Sequence, residues 1–497
     1  MAIRPAMSWR NYLTTLTRLR APQRGSLTAI PRGVVHVPLR WSSNEQAPKS
    51  GALKSKTPPV KNEFLIPEAA KDSVILKQFD SNHDLKKAFS MYSKGYLVLK
   101  GEGAWDEKPF LVFGKFLLRE NCQCPKCVHP DTRQRIVDTF SIPEDIDVTN
   151  IESRPTDVKI GWSDGHESLY SWAWLVAHQN TKPWNDKPWN ARRKEHLQLR
   201  TKHVDMHDAR DTKYPEVSYE QVMSEEKGVL RWLRKIYSNG FCFIKGVPVN
   251  PEATKELIER IAFIRNTHYG GFWDFTADLT FKDTAYTNEF LGGHTDNTYF
   301  TDPARLQLFH LLSHTDGSGG ESLLVDALAA ARKLEEESFE DYLCLTTERH
   351  SWHASGNEDV CIQPSFRAPV LSIHPDFERV YQVRWNNYDR APKNDWKIKD
   401  QTRWYKAARR FNEILNEESR QIWTQLEPGT ALIFDNWRML HGRSEFTGKR
   451  RMCGGYVNND DFISRLRLLK YGRERVLNNL GTTMAKRHPN SNISAIY

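Results

Sequence analysis

Short runs rich in apolar and β-branched or aromatic residues recur in the chain between residues 72 and 178. Such runs predict short strands. We therefore predict a small β-rich N-terminal domain over residues 72–178. Its predicted strands are SVILKQF, YLVLKG, FLVFGKFLL and DVKIGWS.

A helical spacing of apolar residues opens a second, larger region near residue 216. The segments SYEQVMSEEKGVLRWLRKIYSNG and PEATKELIERIAFI predict amphipathic helices, and the first of them should end at Gly240. The apolar run FCFIKGV between them predicts a strand. Residues 179–215, which carry several Trp and Pro, predict a connector in front of this region.

Strands dominate the pattern after residue 284, where only ALAAARKLEEE and WYKAARRFNEILNE show helical spacing. This order of elements favours a mainly β fold with flanking helices, a jelly roll or β-sandwich over residues 216–475. Residues 476–497 then form a C-terminal tail. The predicted strands are RLQLFHLLSH, ESLLVDA, APVLSI, RVYQVRW and TALIFDNW.

Charge is unevenly distributed along the chain, whose net charge is +9. Residues 1–44 hold seven Arg and no acid, and Glu45 is the first acidic residue. This composition is typical of a mitochondrial transit peptide, here residues 1–45, and predicts a location in the mitochondrial matrix. A disordered basic tail that binds polyanions is the alternative, but the complete absence of acids favours the transit peptide.

Two classes of partner are excluded by the rest of the sequence. Without the seven N-terminal Arg the chain is close to neutral, so its basic pI does not indicate a nucleic acid partner. No apolar run approaches the roughly 20 residues of a membrane span, so we expect no membrane partner. The Pro-, Lys- and Ser-rich residues 46–70 predict a linker.

The motif HTDNTYF supplies a candidate metal site. On an extended strand His294 and Asp296 would point the same way, although a surface polar pair is the alternative. A second His, His441, follows the predicted strand TALIFD, and two His with one carboxylate are the facial triad of non-haem Fe(II) oxygenases. Arg450, beyond His441, is well placed to clamp the carboxylate of a 2-oxoacid cosubstrate, and Arg451 beside it is the alternative.

Three cysteines cluster in the motif NCQCPKC, and this spacing indicates a metal site rather than a disulfide framework. Cys122, Cys124 and Cys127 need a fourth ligand to form a closed tetrahedral zinc site. Both His129, which is nearest in sequence, and the more distant His166 are candidates. Three reduced thiols without a metal are the alternative.

Five motifs carry a family resemblance: DTAYTNEFLGGHTDNTYF, GGESLLVDA, VRWNNYDRAP, FDNWRMLHGR and RRMCGGY. Through them the chain resembles the γ-butyrobetaine/trimethyllysine dioxygenase family of Fe(II)/2-oxoglutarate oxygenases over roughly residues 72–475. The resemblance implies a double-stranded β-helix, Fe(II), 2-oxoglutarate, O₂ and turnover supported by ascorbate. The implied reaction hydroxylates N6,N6,N6-trimethyllysine at C3, the first step of carnitine biosynthesis, and releases succinate and CO₂.

The resemblance also implies roles for single residues. It implies that Arg450 and Ser322 bind 2-oxoglutarate, and it selects His166 as the fourth ligand of a structural zinc. A quaternary ammonium donates no hydrogen bond and is held by aromatic faces, although each such aromatic alone is more typical of a core. The implied iron ligands are His294, Asp296 and His441, and the implied trimethylammonium-binding aromatics are Tyr269, Trp273, Tyr286 and Tyr456.

Two further residues bear on the choice between trimethyllysine and γ-butyrobetaine, which lacks the α-ammonium. Asp283 offers a carboxylate near Tyr286, although an Asp that caps a turn is the alternative. Asn386 offers an amide for the α-carboxylate or the α-ammonium. γ-Butyrobetaine hydroxylase is the alternative function within the family, and a non-catalytic reader of trimethylammonium groups is the alternative of another class. We expect a homodimer.

Overall fold

A computed structural model describes part of the predicted N-terminal domain and most of the predicted mainly β region of residues 216–475. The predicted transit peptide, the linker and the connector up to residue 213 lie outside the described residues, as do Asp283 and Tyr286. The described residues are 75–77, 89–93, 96–100, 110–178, 214–276, 287–375 and 379–481.

Two antiparallel sheets and two short helices form the N-terminal part. Strands β1 to β4 pair in chain order in one sheet, and β5 to β7 pair in chain order in the other. Apolar side chains from both sheets and both helices share one core. The strands are β1 Ile75–Lys77, β2 Phe89–Ser93, β3 Tyr96–Lys100, β4 Phe110–Gly114, β5 Val148–Ser153, β6 Asp157–Trp162 and β7 Glu167–Ser171, and the helices are α1 Lys115–Glu120 and α2 Trp172–His178.

The prediction of one strand over FLVFGKFLL is wrong in its second half. Strand β4 ends at Gly114, and helix α1 begins at Lys115. The helical turn carries Leu118 into the core that β4 also lines, while Arg119 remains buried beside the cysteine cluster. An unbroken strand would place these two neighbours on opposite faces of the sheet.

A six-stranded sheet is the larger layer of the second part. Its strand order is β10-β21-β12-β19-β9-β8, and all neighbours are antiparallel except β8 and β9. Its strands are β8 Glu216–Ser218, β9 Phe241–Lys245, β10 Trp273–Thr276, β12 Leu306–Thr315, β19 Thr430–Asp435 and β21 Lys449–Val457.

A four-stranded antiparallel sheet faces the larger one, and apolar side chains of both sheets pack together between them. Its strand order is β11-β20-β13-β18. Two short ladders, β14 with β15 and β16 with β17, complete the strands. The strands are β11 Leu291–His294, β13 Ser322–Asp326, β14 Arg349–His350, β15 Ala368–Pro369, β16 Leu371–Ile373, β17 Val380–Val383, β18 Gln421–Thr424 and β20 Met439–Arg443.

Helices cover the outer faces of both sheets. Helices α3, α4, α5 and α9 contribute to the core on the larger sheet, and α6, α7 and α8 contribute to the core on the smaller sheet. The helices are α3 Tyr219–Ser224, α4 Glu226–Asn239, α5 Pro251–Glu259, α6 Ala327–Glu337, α7 Phe339–Thr347, α8 Ile398–Leu415, α9 Asn459–Tyr471 and α10 Arg473–Leu477.

Local sequence explains the central elements. All six residues of β19 are buried, because helices cover one face of the strand and the second sheet covers the other. A strand covered on both sides shows a continuous apolar run rather than alternation. Helix α4 ends where Gly240 adopts φ 83°, a left-handed conformation that favours glycine.

The prediction of a mainly β fold with flanking helices is confirmed. The helical spacing did not reveal α7 and α9, and α10 crosses the tail boundary predicted at residue 475. In the part of the chain that the structure describes, no helix combines the length and the apolar character that crossing a membrane requires.

Candidate metal centre and substrate pocket

Two neighbouring strands of the smaller sheet bring together the three predicted iron ligands. His294 at the end of β11 is the register partner of His441 on β20. The Oδ1 atom of Asp296 lies 3.2 Å from Nε2 of His294 and 3.6 Å from Nε2 of His441. One ligand atom from each of the three residues lies within 4.8 Å of the others, so this donor set can hold one divalent ion.

The expectation that His294 and Asp296 share a strand is wrong. Strand β11 ends at His294, and Asp296 begins a turn in which Asn297 adopts a φ of 60°. Asn436 holds this turn, since its Oδ1 accepts from the backbone N–H of Asp296 at 2.7 Å. Its Nδ2 donates to the carbonyl of Asp296 and to that of Ala304. The carboxylate is therefore aimed by tertiary hydrogen bonds rather than by strand alternation.

The electrostatics of the pocket favour the metal-binding forms of Asp296 and His441, the carboxylate anion and the neutral imidazole. Burial alone would raise the pKa of Asp296, but the neighbouring imidazoles of His441 and His294 outweigh it and hold that pKa well below its usual range. Burial, with the neighbouring charge of His294, lowers the pKa of His441 to about 3. Nδ1 of His294 lies 2.9 Å from the carbonyl oxygen of Gly292, which leaves Nε2 to face the other two ligands.

A second layer of polar groups holds the other oxygen of Asp296. Its Oδ2 accepts a hydrogen bond of 2.7 Å from the Tyr456 hydroxyl and another of 2.7 Å from Nε2 of Gln307. Gln307 on β12 and Tyr456 on β21 are register partners, so the larger sheet positions both groups. Gln307 was not among the predicted site residues, although a Gln inside the apolar run RLQLFHLL is a signal for a buried polar contact.

The predicted iron, cosubstrate and substrate residues that the structure describes line one pocket around this triad. Asp283 and Tyr286 lie outside the described residues. The sequence analysis did not identify Arg443, Tyr299, Tyr388 or Asp389. The pocket is lined by Tyr269, Trp273, Phe275, Leu291, His294, Asp296, Tyr299, Gln307, Phe309, Ser322, Asn386, Tyr388, Asp389, His441, Gly442, Arg443, Arg450, Met452 and Tyr456.

The two candidate clamp arginines point to opposite sides of β21. Arg450 is 7% exposed and lines the pocket, whereas Arg451 forms a surface ion pair with Asp274. Burial, together with the nearby charge of Arg443, lowers the pKa of Arg450 to about 10. Within the described residues Nε of Arg450 has no hydrogen-bond partner. A buried cation of this kind favours an anionic ligand.

The cosubstrate end of the pocket also contains Arg443 and Ser322, which are register partners on β20 and β13. Arg443 is a buried cation whose Nη2 donates to the carbonyls of Thr287 and Glu289. Burial lowers its pKa to about 10. Only the His of the HGR motif was predicted to belong to the site, so Arg443 is a pocket arginine that the motif did not reveal.

The aromatic lining is also part of the core. Trp273 is 7% exposed, and its ring centroid lies 5.3 Å from that of Phe309 and 6.3 Å from that of Tyr456. A Cβ atom at Gly454 would lie 2.3 Å from the Trp273 ring, so this ring requires glycine there. Trp273 and Tyr456 therefore pack in the core and also line the pocket, so a role in the core and a role in binding the cation do not exclude each other.

Asn386 uses its amide within its own turn. Its Oδ1 accepts from the backbone N–H groups of Tyr388 and Asp389, and its Nδ2 donates to Oδ2 of Asp389 at 2.7 Å. Asn386, which was predicted to bind the substrate, therefore lines the pocket, and its side-chain amide holds the carboxylate of Asp389 in place.

A separate cluster forms in the N-terminal part. Nε2 of His166 lies 3.3 Å from Sγ of Cys122, 3.6 Å from Sγ of Cys124 and 3.5 Å from Sγ of Cys127. These four ligand atoms lie within 4.8 Å of one another. His129 instead accepts backbone N–H groups of its own turn with Nδ1. Of the two histidines that the spacing left open, His166 is the one that reaches the thiols.

The chain is similar to proteins of known activity. A model of the taurine catabolism dioxygenase TauD, TfdA family matches residues 203–456, and a model described as gamma-butyrobetaine hydroxylase-like, N-terminal, matches residues 103–176. Trimethyllysine dioxygenase of Neurospora crassa is 44% identical over 399 residues, which cover 74% of this chain and 82% of that protein.

Two other relatives bear on location and substrate. The protein of Homo sapiens called trimethyllysine dioxygenase, mitochondrial, is 35% identical over 360 residues, 71% of this chain and 81% of that protein. Gamma-butyrobetaine dioxygenase of Pseudomonas sp. is 30% identical over 374 residues, 74% of this chain and 92% of that protein.

Proposed function

The chain belongs to the trimethyllysine dioxygenase family within the TauD, TfdA dioxygenases, and from this premise we propose that it hydroxylates N6,N6,N6-trimethyllysine at C3. It is a 2-oxoglutarate-dependent oxygenase, and the proposed reaction consumes O₂ and releases succinate and CO₂. The product places the reaction at the first step of carnitine biosynthesis. The identity to trimethyllysine dioxygenase over 82% of that protein's length is the observation that carries the proposal.

His294, Asp296 and His441 are the proposed ligands of Fe(II). Two imidazole nitrogens and one carboxylate oxygen are the donor set of the facial triad, and the held Nδ1 of His294 supports ligation through Nε2. Bound iron supplies the activation of O₂ for oxidation of a C–H bond. The protein's own part is to hold the three ligands and to present the substrate carbon to the open side.

Arg450 is the proposed clamp for the distal carboxylate of 2-oxoglutarate, with the Ser322 hydroxyl nearby. The support is a buried, pocket-facing guanidinium with an unpartnered Nε among the described residues. Two planar N–H groups match the two oxygens of a carboxylate. Arg443 adds a second positive charge, and together the two cations favour a dianionic cosubstrate over a neutral one.

Tyr269, Trp273 and Tyr456 are proposed to form the aromatic wall for the trimethylammonium, and Tyr286 stays a prediction. The quaternary cation gains from ring faces in a site that excludes water. A γ-butyrobetaine hydroxylase would offer the same wall, so the aromatics do not separate the two functions. The reader of trimethylammonium groups is disfavoured because the pocket also holds a complete ligand triad.

The cysteine cluster is proposed to hold a structural zinc. Three thiols and one imidazole make a closed four-ligand set, and the two sequence segments that supply it are more than thirty residues apart. A metal at this position would tie the segment after α1 to the turn between β6 and β7. Such a site stabilises the small domain and leaves no position for substrate.

A mitochondrial location is proposed on the names of the mammalian relatives, which include the word mitochondrial; the names of the two fungal relatives give no location. Ascorbate support and a homodimer stay predictions. Turnover with and without ascorbate tests the first, and the mass of the purified protein by light scattering tests the second.

The experiment that tests the function compares substrates on the purified protein. Succinate formation is measured with Fe(II) and 2-oxoglutarate in the presence of trimethyllysine or γ-butyrobetaine. We expect the higher kcat/KM for trimethyllysine, with hydroxylation at C3 identified by mass spectrometry and NMR. A preference for γ-butyrobetaine would replace the proposal with the alternative within the family.

A further inference from the structure

We infer that Asp389 is the carboxylate that binds the α-ammonium of trimethyllysine and thereby separates this substrate from γ-butyrobetaine. The inference rests on the proposed function and names a specificity-determining residue for it. Asp389 lines the pocket and is half-buried.

The chemistry of the substrate sets where an ammonium-binding acid must lie. In trimethyllysine the reacting carbon C3 is bonded to the α-carbon, so the α-nitrogen is two bonds away, roughly 2.5 Å at normal bond lengths. The trimethylammonium nitrogen is four bonds away on the other side. An acid for the α-ammonium must therefore lie beside the metal centre, and an acid at the far aromatic wall would be too distant.

The turn that carries Asp389 lies against the metal-binding strand. The hydroxyl of Tyr388 accepts a hydrogen bond of 3.3 Å from the backbone N–H of Gly292 on β11. The carbonyl of the same Gly292 lies 2.9 Å from Nδ1 of His294. Asp389 is thus one residue from a side chain that contacts the strand of the first proposed iron ligand.

The position of the Asp389 side chain is fixed before any substrate binds. Oδ2 accepts from Nδ2 of Asn386 at 2.7 Å, and the backbone N–H of Asp389 donates to Oδ1 of the same Asn386. The carbonyl of Asp389 accepts from the backbone N–H of His353. These contacts orient an anion toward the pocket at no further conformational cost on binding.

The charges of the lining leave this role to one carboxylate in the described chain. Among the described pocket residues the acids are Asp296 and Asp389. Both oxygens of Asp296 are engaged with the two His rings, Tyr456 and Gln307. Asp389 is the other acid of this lining, and its charge is suited to the head group of trimethyllysine, which carries an ammonium, rather than to that of γ-butyrobetaine, which carries only a carboxylate.

The alternative is that Asp389 only closes its turn with Asn386. The substitution Asp389→Asn separates the two roles, because the amide oxygen can still accept from Asn386 while the charge is lost. Asp395→Asn is the matched control, since Asp395 forms an exposed ion pair with Arg367 and does not line the pocket.

Binding is compared for trimethyllysine and for 6-(trimethylammonio)hexanoate, which differs only by lacking the α-amino group. Dissociation constants are measured by calorimetry on protein loaded with Mn(II) and 2-oxoglutarate, so that binding does not depend on turnover. Asp389→Asn should raise the dissociation constant for trimethyllysine about tenfold or more and change that for the deamino compound by less than about threefold. Asp395→Asn should change neither.

Equal weakening of both ligands by Asp389→Asn, or no weakening of trimethyllysine, would overturn the inference. It would also be overturned if Asp283→Asn, run in parallel, produced the ammonium-selective loss while Asp389→Asn did not. Turnover of trimethyllysine by the wild-type protein is recorded in the same preparation. Its absence, with γ-butyrobetaine turned over, is the distinct result that overturns the proposed function and this inference with it.

Discussion

The hydroxyl of Tyr456 donates a 2.7 Å hydrogen bond to Oδ2 of Asp296, the oxygen that faces away from the two His rings. Sequence analysis predicted Tyr456 as an aromatic for the substrate cation. The contact adds a second role, because a carboxylate whose outer oxygen is held by Tyr456 and Gln307 presents the other oxygen to a metal.

The first prediction concerns this contact. Tyr456→Phe keeps the aromatic ring and removes the hydroxyl, so metal affinity should fall while the aromatic wall is retained. We expect the dissociation constant for Mn(II), measured by EPR on metal-depleted protein, to rise about tenfold, the lower end of the range for such outer contacts.

Tyr405→Phe is the control, because Tyr405 is exposed and remote from the pocket. It should leave Mn(II) affinity unchanged. If Tyr456→Phe leaves metal affinity at the wild-type value, the hydroxyl does not position Asp296.

The second prediction concerns the proposed iron ligands. His294→Ala and His441→Ala should each abolish hydroxylation and Mn(II) binding. The melting temperature should stay close to that of wild type, because both side chains line an open pocket rather than fill the core between the sheets. His129→Ala is the control, because His129 is an exposed histidine of the N-terminal part that does not line the pocket. Substantial activity in either ligand variant would contradict the triad assignment.

The third prediction concerns the clamp for 2-oxoglutarate. Arg450→Gln should raise the KM for 2-oxoglutarate about 30-fold, because loss of a charge-assisted bidentate pair costs about 2 kcal/mol. Arg451→Gln should change it less than about fivefold, since a surface ion pair contributes at most about 1 kcal/mol. Cosubstrate titrations that rank the two variants in the opposite order would assign the clamp to Arg451.

The fourth prediction concerns the cysteine cluster. Elemental analysis of the purified protein should find one zinc per chain, and Cys124→Ser or His166→Ala should lower the melting temperature by at least about 5 °C. His129→Ala is the matched control and should retain both zinc and stability. A zinc-free protein with a normal melting transition would refute the structural metal.

The fifth prediction concerns acid sensitivity. Nδ1 of His310 lies 2.7 Å from the Thr254 hydroxyl, and Nε2 accepts from the backbone N–H of Gly429, so the buried ring is held neutral. Burial lowers the pKa of His310 to about 4. Because the folded pKa lies below the ordinary value near 6.5, the stabilisation is complete above that value and is lost as pH falls toward 4.

When the pH falls from 8 to 5, protonation linked to His310 alone should lower the free energy of unfolding by about 2 kcal/mol. His310→Gln should be less stable than wild type at pH 8 but should lose about 2 kcal/mol less on acidification, as measured by urea unfolding at both values. An identical pH dependence in the two proteins would show that His310 titrates normally.

Local patterns predicted much of the second part of the fold. The apolar runs in β12, β13 and β19 and the helical spacing that ends at Gly240 can each be read within a single segment. Such periodicity is a property of a few consecutive residues. Helix α7 was not recognised because its FEDYLCLTT sequence carries β-branched and aromatic residues, and only packing on the smaller sheet makes it helical.

By itself the sequence determined which chemical groups are present: two His and an Asp suited to iron, three thiols suited to zinc, and aromatics suited to a quaternary cation. Residue spacing left open the choice between His166 and His129 and between Arg450 and Arg451, and the family resemblance favoured the first of each pair. The tertiary structure is what brings His166 to the thiols and turns Arg450 toward the pocket. It also decided that Gln307 and Tyr456 meet at Asp296 and that Asp389 stands beside β11. These relationships join residues that are far apart in the chain, and they depend on strand register and on which face of a sheet is buried, which no local pattern encodes.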